Sequence, residues 1–338
     1  MAVNASTLSF PEFSSNFGEL YSNTTITTRA PRDGYDVPVF GLDNNHFAYL
    51  HITALSCILI SFAFSVVVIT LSFRSSRQRF FDWTKSERFV VYMALCDGLF
   101  NLGHSLDHLH IFITRDHVRP RALCICYAFV IGEFISAQML MVNIVAINAF
   151  GMIYLSKDMS FGRYDWRLLL YTLGVPFVVY LVAAILGKLG PTGAFCHFDA
   201  IKGTDLYVYY LTMLTFVVVA VNSALYVATW IKIYKDSKAL ADVLGESAQS
   251  IKSIHNAAKN MSLFVAVFFV QWFSLAAYSI TALLGNVPEV ILYLAIFFNN
   301  FGGVLNGIVF IIIKRRKRKK ALRKSDLSES VATISSKI

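Results

Sequence analysis

Few side chains in this 338-residue sequence carry a charge, and its first 45 residues contain neither a cysteine nor the apolar core of a cleavable signal peptide. Charged residues make up 15% of the chain against 56% hydrophobic residues, a balance that excludes an ordinary soluble domain. Without cysteine, the N-terminal segment is not a disulfide-stapled binding domain. Without a cleavable signal, the first apolar segment is expected to direct membrane insertion.

Long apolar stretches dominate the rest of the chain. Seven windows hold the roughly 20 apolar residues that a membrane-spanning helix needs. Numbered as predicted helices 1 to 7, they are Tyr49–Phe73, Phe89–Phe112, Leu123–Ile153, Leu168–Leu189, Leu206–Trp230, Met261–Leu284 and Val290–Ile313. They predict an all-α membrane protein, with a seven-transmembrane helix bundle at residues 49–313 and a basic tail at residues 314–338.

Lysine and arginine are divided unevenly between the two sides of such a bundle. Most of the 30 basic residues fall between predicted helices 1 and 2, 3 and 4, 5 and 6, and after helix 7. The positive-inside rule therefore predicts a cytoplasmic C-terminus and an extracellular N-terminus. The net charge of +9 mostly reflects this asymmetry and does not indicate nucleic-acid binding.

Residues 1–48 are mostly polar and are predicted to form a flexible extracellular tail. Glycosylation sequons begin at Asn4 and Asn23, where an outside N-terminus would expose them to modification. We therefore expect a multi-pass glycoprotein of the plasma membrane.

Predicted helix 2 carries many ionisable side chains for a membrane span. They are Asp97, His104, Asp107, His108 and His110. Ionisable groups are costly at membrane depth and normally face a bundle interior or a watery cavity. At about 100° per residue, Asp97, His104 and His108 fall on one narrow stripe, which Asn101 shares. The stripe predicts a polar interior that runs from mid-membrane to the outer mouth.

Five short motifs carry a resemblance to a known family. They are FVVYMALCDGLF (Phe89–Phe100), CICYAFVI (Cys124–Ile131), VAINAF (Val145–Phe150), LGVP (Leu173–Pro176) and GGVLNGIVF (Gly302–Phe310). With seven helices and a basic inner side, the chain resembles G-protein-coupled receptors, and among them the cyclic-AMP-receptor-like and secretin-type receptors. Rhodopsin-like receptors are a second relative, although no Asp-Arg-Tyr follows predicted helix 3. Predicted helices 6 and 7 contain no lysine, which excludes a retinal Schiff base of the opsin kind.

The resemblance implies a receptor that passes an extracellular stimulus to a heterotrimeric G protein by movement of its helices, and not an enzyme. It implies an activation switch at Asp97, with Asn143 and Asn306 among its candidate partners and Trp272 as a toggle beneath the ligand pocket. One alternative is that these residues form a polar knot that only fixes helix packing. The alternative function for the whole chain is a seven-helix channel or transporter.

The five cysteines divide by position. Cys57 and Cys96 lie inside predicted helices, as small packing residues do. Cys124 and Cys126 open predicted helix 3 on the outer side, and Cys196 follows predicted helix 4 on the same side. An oxidising exterior favours one disulfide within this group. The resemblance implies Cys124–Cys196, with Cys126 as the alternative partner.

The outer half of the bundle suggests a class of stimulus. Histidine titrates between pH 5 and 8, and most of the eight histidines fall on this half. With Glu133 and Arg119, the pair His104 and His108 predicts a mouth that responds to a small anion or to protons. The alternatives are interfacial histidines without a sensing role, and an Arg119 that pairs with Asp116 or lipid. The histidine spacing also suits a metal, but zinc would need two more ligands, so no metal or cofactor is predicted.

The inner side predicts several partners. The segment KRRKRKKALRK (Lys314–Lys324) is expected to form a short amphipathic helix on anionic inner-leaflet lipids. Serines and threonines beyond it offer phosphorylation sites that would attract arrestin-type partners. The last residues, Ser336–Ile338, fit the pattern that PDZ domains bind.

Overall fold

The computed structural model describes residues 30–43, 45–76, 78–239, 246–283 and 288–335. Its helices, numbered in chain order, are α1 Phe47–Ser75, α2 Lys85–Thr114, α3 Arg121–Tyr154, α4 Arg163–Ile185, α5 Thr204–Asp236, α6 Glu246–Leu283, α7 Glu289–Asn300 and α8 Gly302–Ser335. An antiparallel hairpin, β1 Leu189–Pro191 and β2 Cys196–Phe198, connects α4 to α5.

The helices α1 to α6 are each long and apolar enough to cross a bilayer, and in α6 the candidate span includes Ser262–Thr281. A seventh span consists of α7 and the first part of α8, which meet at a bend of 46°. The predicted fold class, a seven-helix bundle, is therefore confirmed. The orientation of its termini remains a prediction.

The helix α3 lies at the centre of the bundle. Of its most apolar window 78% is buried inside the protein, against 28% for α4 and for α5. The remaining apolar side chains of α4 and α5 face outward, as expected of helices in contact with lipid. The burial pattern therefore places α3, and the face of α2 that packs on it, where an interior site would form.

The helix α4 ends earlier than predicted. The sequence predicted a helix that reaches Leu189, but the helix stops at Ile185 and Leu189 begins β1. Gly187 has a positive φ of 66°. Glycine adopts this left-handed conformation at little cost and commonly ends helices, so the chain turns into the hairpin there.

The bend between α7 and α8 brings this span close to α1. A Cβ atom at Gly303 would lie only 2.4 Å from the carbonyl oxygen of Ser61. The Ser61 hydroxyl donates a hydrogen bond of 2.6 Å to the carbonyl oxygen of Asn300. The prediction of one uninterrupted helix over Val290–Ile313 is therefore wrong, since the backbone breaks at Phe301 to allow this approach.

The prediction that all of residues 1–48 form a flexible tail is also wrong. The backbone N–H of Gly34 donates to both carboxylate oxygens of Asp199, at 2.9 and 3.0 Å. The backbone N–H of Phe40 donates to the carbonyl oxygen of Gly193 at 2.9 Å. Residues 30–43 thus pack over the β1–β2 hairpin, and we call the two together the outer lid. The sequons at Asn4 and Asn23 lie outside the described residues.

The basic segment after the last span does not form a separate helix. It continues α8 without a break to Ser335. From Ile308 to Ser335 the sequence contains neither glycine nor proline, so nothing local ends the helix. The C-terminal residues Ser336–Ile338 lie outside the described part of the chain.

Candidate functional site

Asp97 lies in the middle of α2 and is almost completely buried. Its Oδ2 accepts a hydrogen bond of 2.6 Å from Nδ2 of Asn306 on α8. Nδ2 of Asn101, one turn along α2, donates to the Asp97 carbonyl oxygen at 2.7 Å. The structure therefore brings together two of the predicted switch residues, Asp97 and Asn306, and joins α2 to α8 through their side chains.

The other two predicted switch residues lie elsewhere in the interior. Nδ2 of Asn143 donates to Oδ1 of Asn222 at 3.0 Å, so it joins α3 to α5 and does not contact Asp97 through its amide nitrogen. Trp272 on α6 is buried, and its ring centroid lies 6.1 Å from that of Phe268. Beside it, Nε2 of Gln271 reaches Oε1 of Gln138 on α3 at 3.3 Å.

Three imidazole rings form a continuous chain near the start of α1 and the end of α2, on the side predicted to face outward. Nδ1 of His51 lies 2.8 Å from Nδ1 of His108, and Nε2 of His108 lies 3.0 Å from Nε2 of His104. All three residues are buried. We call them the histidine chain. The sequence predicted the pair on α2 but did not single out His51 as its partner, because periodicity within α2 carries no information on α1.

The outer lid covers the histidine chain. The Phe195 ring, at the tip of the hairpin, lies 5.2 Å from the His104 ring and 6.1 Å from the His108 ring, measured between centroids. Oδ2 of Asp107 accepts a hydrogen bond of 2.8 Å from the backbone N–H of Cys196. Asp107 therefore anchors the hairpin to α2, a role that its position beside the polar stripe did not reveal.

A disulfide between Cys124 and Cys196 ties the same hairpin to α3. Cys126 is exposed and unbonded. Two residues along a helix turn a side chain by about 200°, so Cys126 points away when Cys124 faces the hairpin. Of the two partners considered, the structure joins the one that the family resemblance implied.

His197 on β2 lies under the lid and beside α4. Its Nε2 is 3.1 Å from the Tyr180 hydroxyl, and the residue is buried. Burial, assisted by the nearby His104, lowers the pKa of His197 from its ordinary value of 6.5 to about 3. His197 is therefore neutral near pH 7 and acts as a hydrogen-bonding part of the packed hairpin.

Arg119 and Glu133, the other predicted mouth residues, do not join the histidine chain. The Arg119 side chain is 66% exposed, and its Nε lies 3.6 Å from Oδ2 of Asp116. Its guanidinium lies 5.0 Å from the centre of the Tyr35 ring, on the lid surface. Glu133 is buried and lines an apolar groove of about 410 Å³ between α3 and α4.

No group of three or more His, Cys, Asp or Glu side chains within the described residues is placed to hold a metal ion. The pair at His104 and His108 matches the spacing of a metal site, but these two rings bond to each other through Nε2. In this structure the two Nε2 atoms lie 3.0 Å apart and share a hydrogen bond, so the lone pair of one is directed at the other ring.

A buried ion pair at the opposite end of α2, which is predicted to face the cytoplasm, was not predicted from the sequence. Nε and Nη2 of Arg88, near the start of α2, donate to the two carboxylate oxygens of Asp165 at 2.6 and 3.1 Å. The Tyr92 hydroxyl donates to Oδ2 of the same carboxylate at 3.0 Å. The sequence signal for this pair is weak. Arg88 and Asp165 lie at the edges of apolar windows, where charged residues are common, so their positions do not indicate that they meet.

The arrangement of the helices is similar to that of a protein of known structure. No protein-family model matches the sequence, and no curated protein matches it. The crystal structure of squid rhodopsin is similar, with a TM-score of 0.64 and 16% sequence identity over 86% of this chain and 87% of that chain. The chain has the seven-helix fold of squid rhodopsin. At this identity the likeness shows the fold alone, and the cyclic-AMP-receptor-like resemblance remains a prediction.

Proposed function

We propose that this protein is a receptor that passes an extracellular stimulus to a heterotrimeric G protein by movement of its transmembrane helices. The observation that carries the proposal is the shared fold, because the match with squid rhodopsin covers 86% of this chain and 87% of that chain. The placement in the plasma membrane and the absence of enzymatic activity belong to the same proposal.

The Asp97–Asn306 contact is the proposed switch. It joins α2 to α8, the helix that leaves the bundle on the predicted cytoplasmic side. Among the described residues, the carboxylate accepts one hydrogen bond from an amide and pairs with no basic side chain, so a neutral donor joins the two helices here. Rigid-body helix shifts are the usual way in which such bundles change state. Movement of α8 relative to α2 would break this hydrogen bond or bring a different donor to the Asp97 carboxylate.

The proposed inner partners act on the segment beyond the bundle. Anionic lipids would contact the basic part of α8, at about 1 kcal/mol for each basic residue near the surface. Arrestin-type and PDZ partners would bind the phosphorylated tail and the last three residues, respectively. For the stimulus, the histidine chain favours protons over a small anion, because Arg119 lies on the exposed surface of the lid beside Asp116 and Tyr35, apart from the histidine chain.

Constitutive coupling tests this function without an identified ligand. The full chain would be expressed with each class of heterotrimeric G protein, and basal nucleotide exchange would be compared with that of cells lacking the chain. We expect exchange above background with at least one class, and a changed level in Asp97→Asn. Asp116→Asn, an exposed acidic residue, is the matched control. Ion or substrate flux without exchange would instead support the channel or transporter alternative.

A further inference from the structure

The two hydrogen bonds of the histidine chain restrict which ring nitrogens can carry a proton. A hydrogen bond between two ring nitrogens needs one proton, which one ring donates and the other accepts. The chain has two such bonds, His51 Nδ1 to His108 Nδ1 and His108 Nε2 to His104 Nε2. Two rings that were both imidazolium could not share either bond, because neither would offer a lone pair.

When all three rings are neutral, the chain has one vacant nitrogen that can accept a proton. Three neutral imidazoles carry three N–H protons, and two of them occupy the inner bonds. The third lies at one end, on His51 Nε2 or on His104 Nδ1, and the opposite end has a free lone pair. Both end nitrogens are buried and, within the described part of the chain, have no hydrogen-bond partner of ordinary geometry. One proton can therefore be added with both inner bonds intact, whereas a second would break one of them.

We propose that His51, His108 and His104 together form a binding site for a single proton, and that proton binding opens the outer lid. The proton comes from bulk water as the pH on the lid side falls. The site itself is independent of the proposed receptor function. The consequence of proton binding for signalling rests on the proposed receptor function, and it would make acidification the stimulus.

The groups around the chain explain why a bound proton would change the structure. The aromatic rings of Phe47 on α1, Phe100 on α2 and Phe195 on the hairpin contact the chain. The Asn300 side chain of α7 lies beside His104, but no hydrogen bond of ordinary geometry joins it to Nδ1 of His104. These neighbours are neutral and offer no counter-charge.

The titratable neighbours that the structure describes form no ion pair with the chain. On α2, Oδ2 of Asp107 accepts from the backbone N–H of Cys196 and Oδ2 of Asp97 from Asn306, and among the described residues neither carboxylate is hydrogen-bonded to a ring of the chain. From β2, His197 lies close enough to His104 that a charge on one ring opposes a charge on the other. A positive charge on the closed chain would therefore be buried without a directly bonded counter-charge, which is costly.

The protonated chain is accommodated better where its rings reach water. The outer lid is the element that separates them from water, and Phe195 at its tip is the contact that must move. A ligand shifts a two-state equilibrium toward the state that binds it more tightly. Because one proton is bound, the ratio of open to closed molecules should rise by at most about tenfold for each unit of pH decrease.

Imidazole titration in the purified protein tests the site directly. The full-length protein, labelled with ¹⁵N-histidine and reconstituted in lipid nanodiscs, would be followed by NMR from pH 8 to pH 5.5. We expect three rings whose nitrogen signals change together in one transition with the slope of a single proton. His110→Gln, a partly exposed position on the same helix, should leave this shared transition unchanged.

Two variants test whether the chain acts as a unit. His108→Gln removes the central ring and should abolish the shared transition, so that His51 and His104 behave independently. If His108→Gln does not fold, His51→Gln shortens the chain to one pair and should remove His51 from the transition while leaving His104 and His108 coupled. Rings that titrate independently in the unaltered protein, or that stay unchanged down to pH 5.5, would overturn the proposal.

Basal G-protein coupling, measured over the same pH range, separates this proposal from the proposed function. Coupling that changes with pH in the unaltered chain and in His110→Gln, but stays flat in His108→Gln, supports both. A shared NMR transition with no coupling at any pH would contradict the receptor function and leave the proton site standing. Coupling that ignores pH despite the NMR transition would overturn the link between proton binding and signalling.

Discussion

Asp165 and Asp97 are both buried carboxylates, but they are held in different ways. Asp165 accepts two hydrogen bonds from the guanidinium of Arg88 and one from Tyr92, so its charge is paired and its oxygens are used. Asp97 accepts from the neutral amide of Asn306. The first arrangement fixes a loop to the base of α2. The second joins two helices through one neutral donor, and a rearrangement can replace that donor more easily.

The largest expected effect is the loss of one partner of the paired carboxylate. Arg88→Ala leaves Asp165 buried without its counter-charge, and breaking a buried ion pair in this way typically costs about 3–5 kcal/mol. Thermal unfolding of the purified protein in nanodiscs would measure the loss. The double variant Arg88→Gln with Asp165→Asn removes both charges and should recover part of it. An unfolding midpoint for Arg88→Ala equal to that of the unaltered protein would show that the pair contributes nothing.

The disulfide of the outer lid should have the next largest effect. Cys124→Ser opens a link between residues 72 positions apart, and the removal of a native disulfide typically costs about 2–4 kcal/mol. Cys126→Ser is the matched control and should leave the unfolding midpoint unchanged, because Cys126 is exposed and unbonded. Equal losses for the two variants would contradict this pairing. Both would be compared under non-reducing conditions.

The pH dependence of stability should include a contribution from His197. Its pKa is about 3 in the folded protein and about 6.5 when unfolded, so the unfolded state binds a proton first as the pH falls. Above about pH 6.5 the protonation of His197 therefore does not affect the free energy of unfolding. Below this pH it lowers the free energy of unfolding by about 1.4 kcal/mol for each pH unit, down to about pH 3. Between pH 7.5 and pH 5.5, His197→Gln should therefore lose less stability than the unaltered protein. His110→Gln should retain the full dependence.

The amide-paired carboxylate should respond differently from Asp165. Asp97→Asn retains the shape and still offers an oxygen to Asn306, so we expect a stability change under about 1 kcal/mol, within the range of an ordinary hydrogen bond. Basal G-protein coupling should change nonetheless. The exchange variant, Asp97→Asn with Asn306→Asp, restores a carboxylate–amide pair and should move coupling back toward its original level. A loss of stability as large as that of Arg88→Ala would make Asp97 a packing residue.

Arg119→Ala should have the smallest effect. Its ion pair with Asp116 is largely exposed on both sides, and such pairs contribute roughly 0–1 kcal/mol. We expect an unchanged unfolding midpoint and an unchanged pH response of coupling. If the variant instead abolished a response to small anions, the anion-binding mouth predicted from the sequence would be restored as the better explanation.

The sequence predicted the polar stripe of α2 well because helical periodicity is local. Asp97, Asn101 and His104 are all buried on one side of α2, as their spacing requires. The partners were harder to identify. Asn143 and Asn306 were equal candidates for Asp97 in the sequence, and only one of them is hydrogen-bonded to it. The choice depends on how α3 and α8 pack against α2, which no local pattern encodes.

The length and hydropathy of the apolar windows determined by themselves that the chain forms seven spans, because the thickness of a bilayer sets the length of helix that crosses it. They also determined that the stripe on α2 faces inward, because unpaired polar groups are costly in lipid. Only the tertiary structure decided that His51 of α1 completes the histidine chain and that Arg88 meets Asp165. These contacts join residues more than 50 positions apart, and their geometry arises when the helices pack around α3.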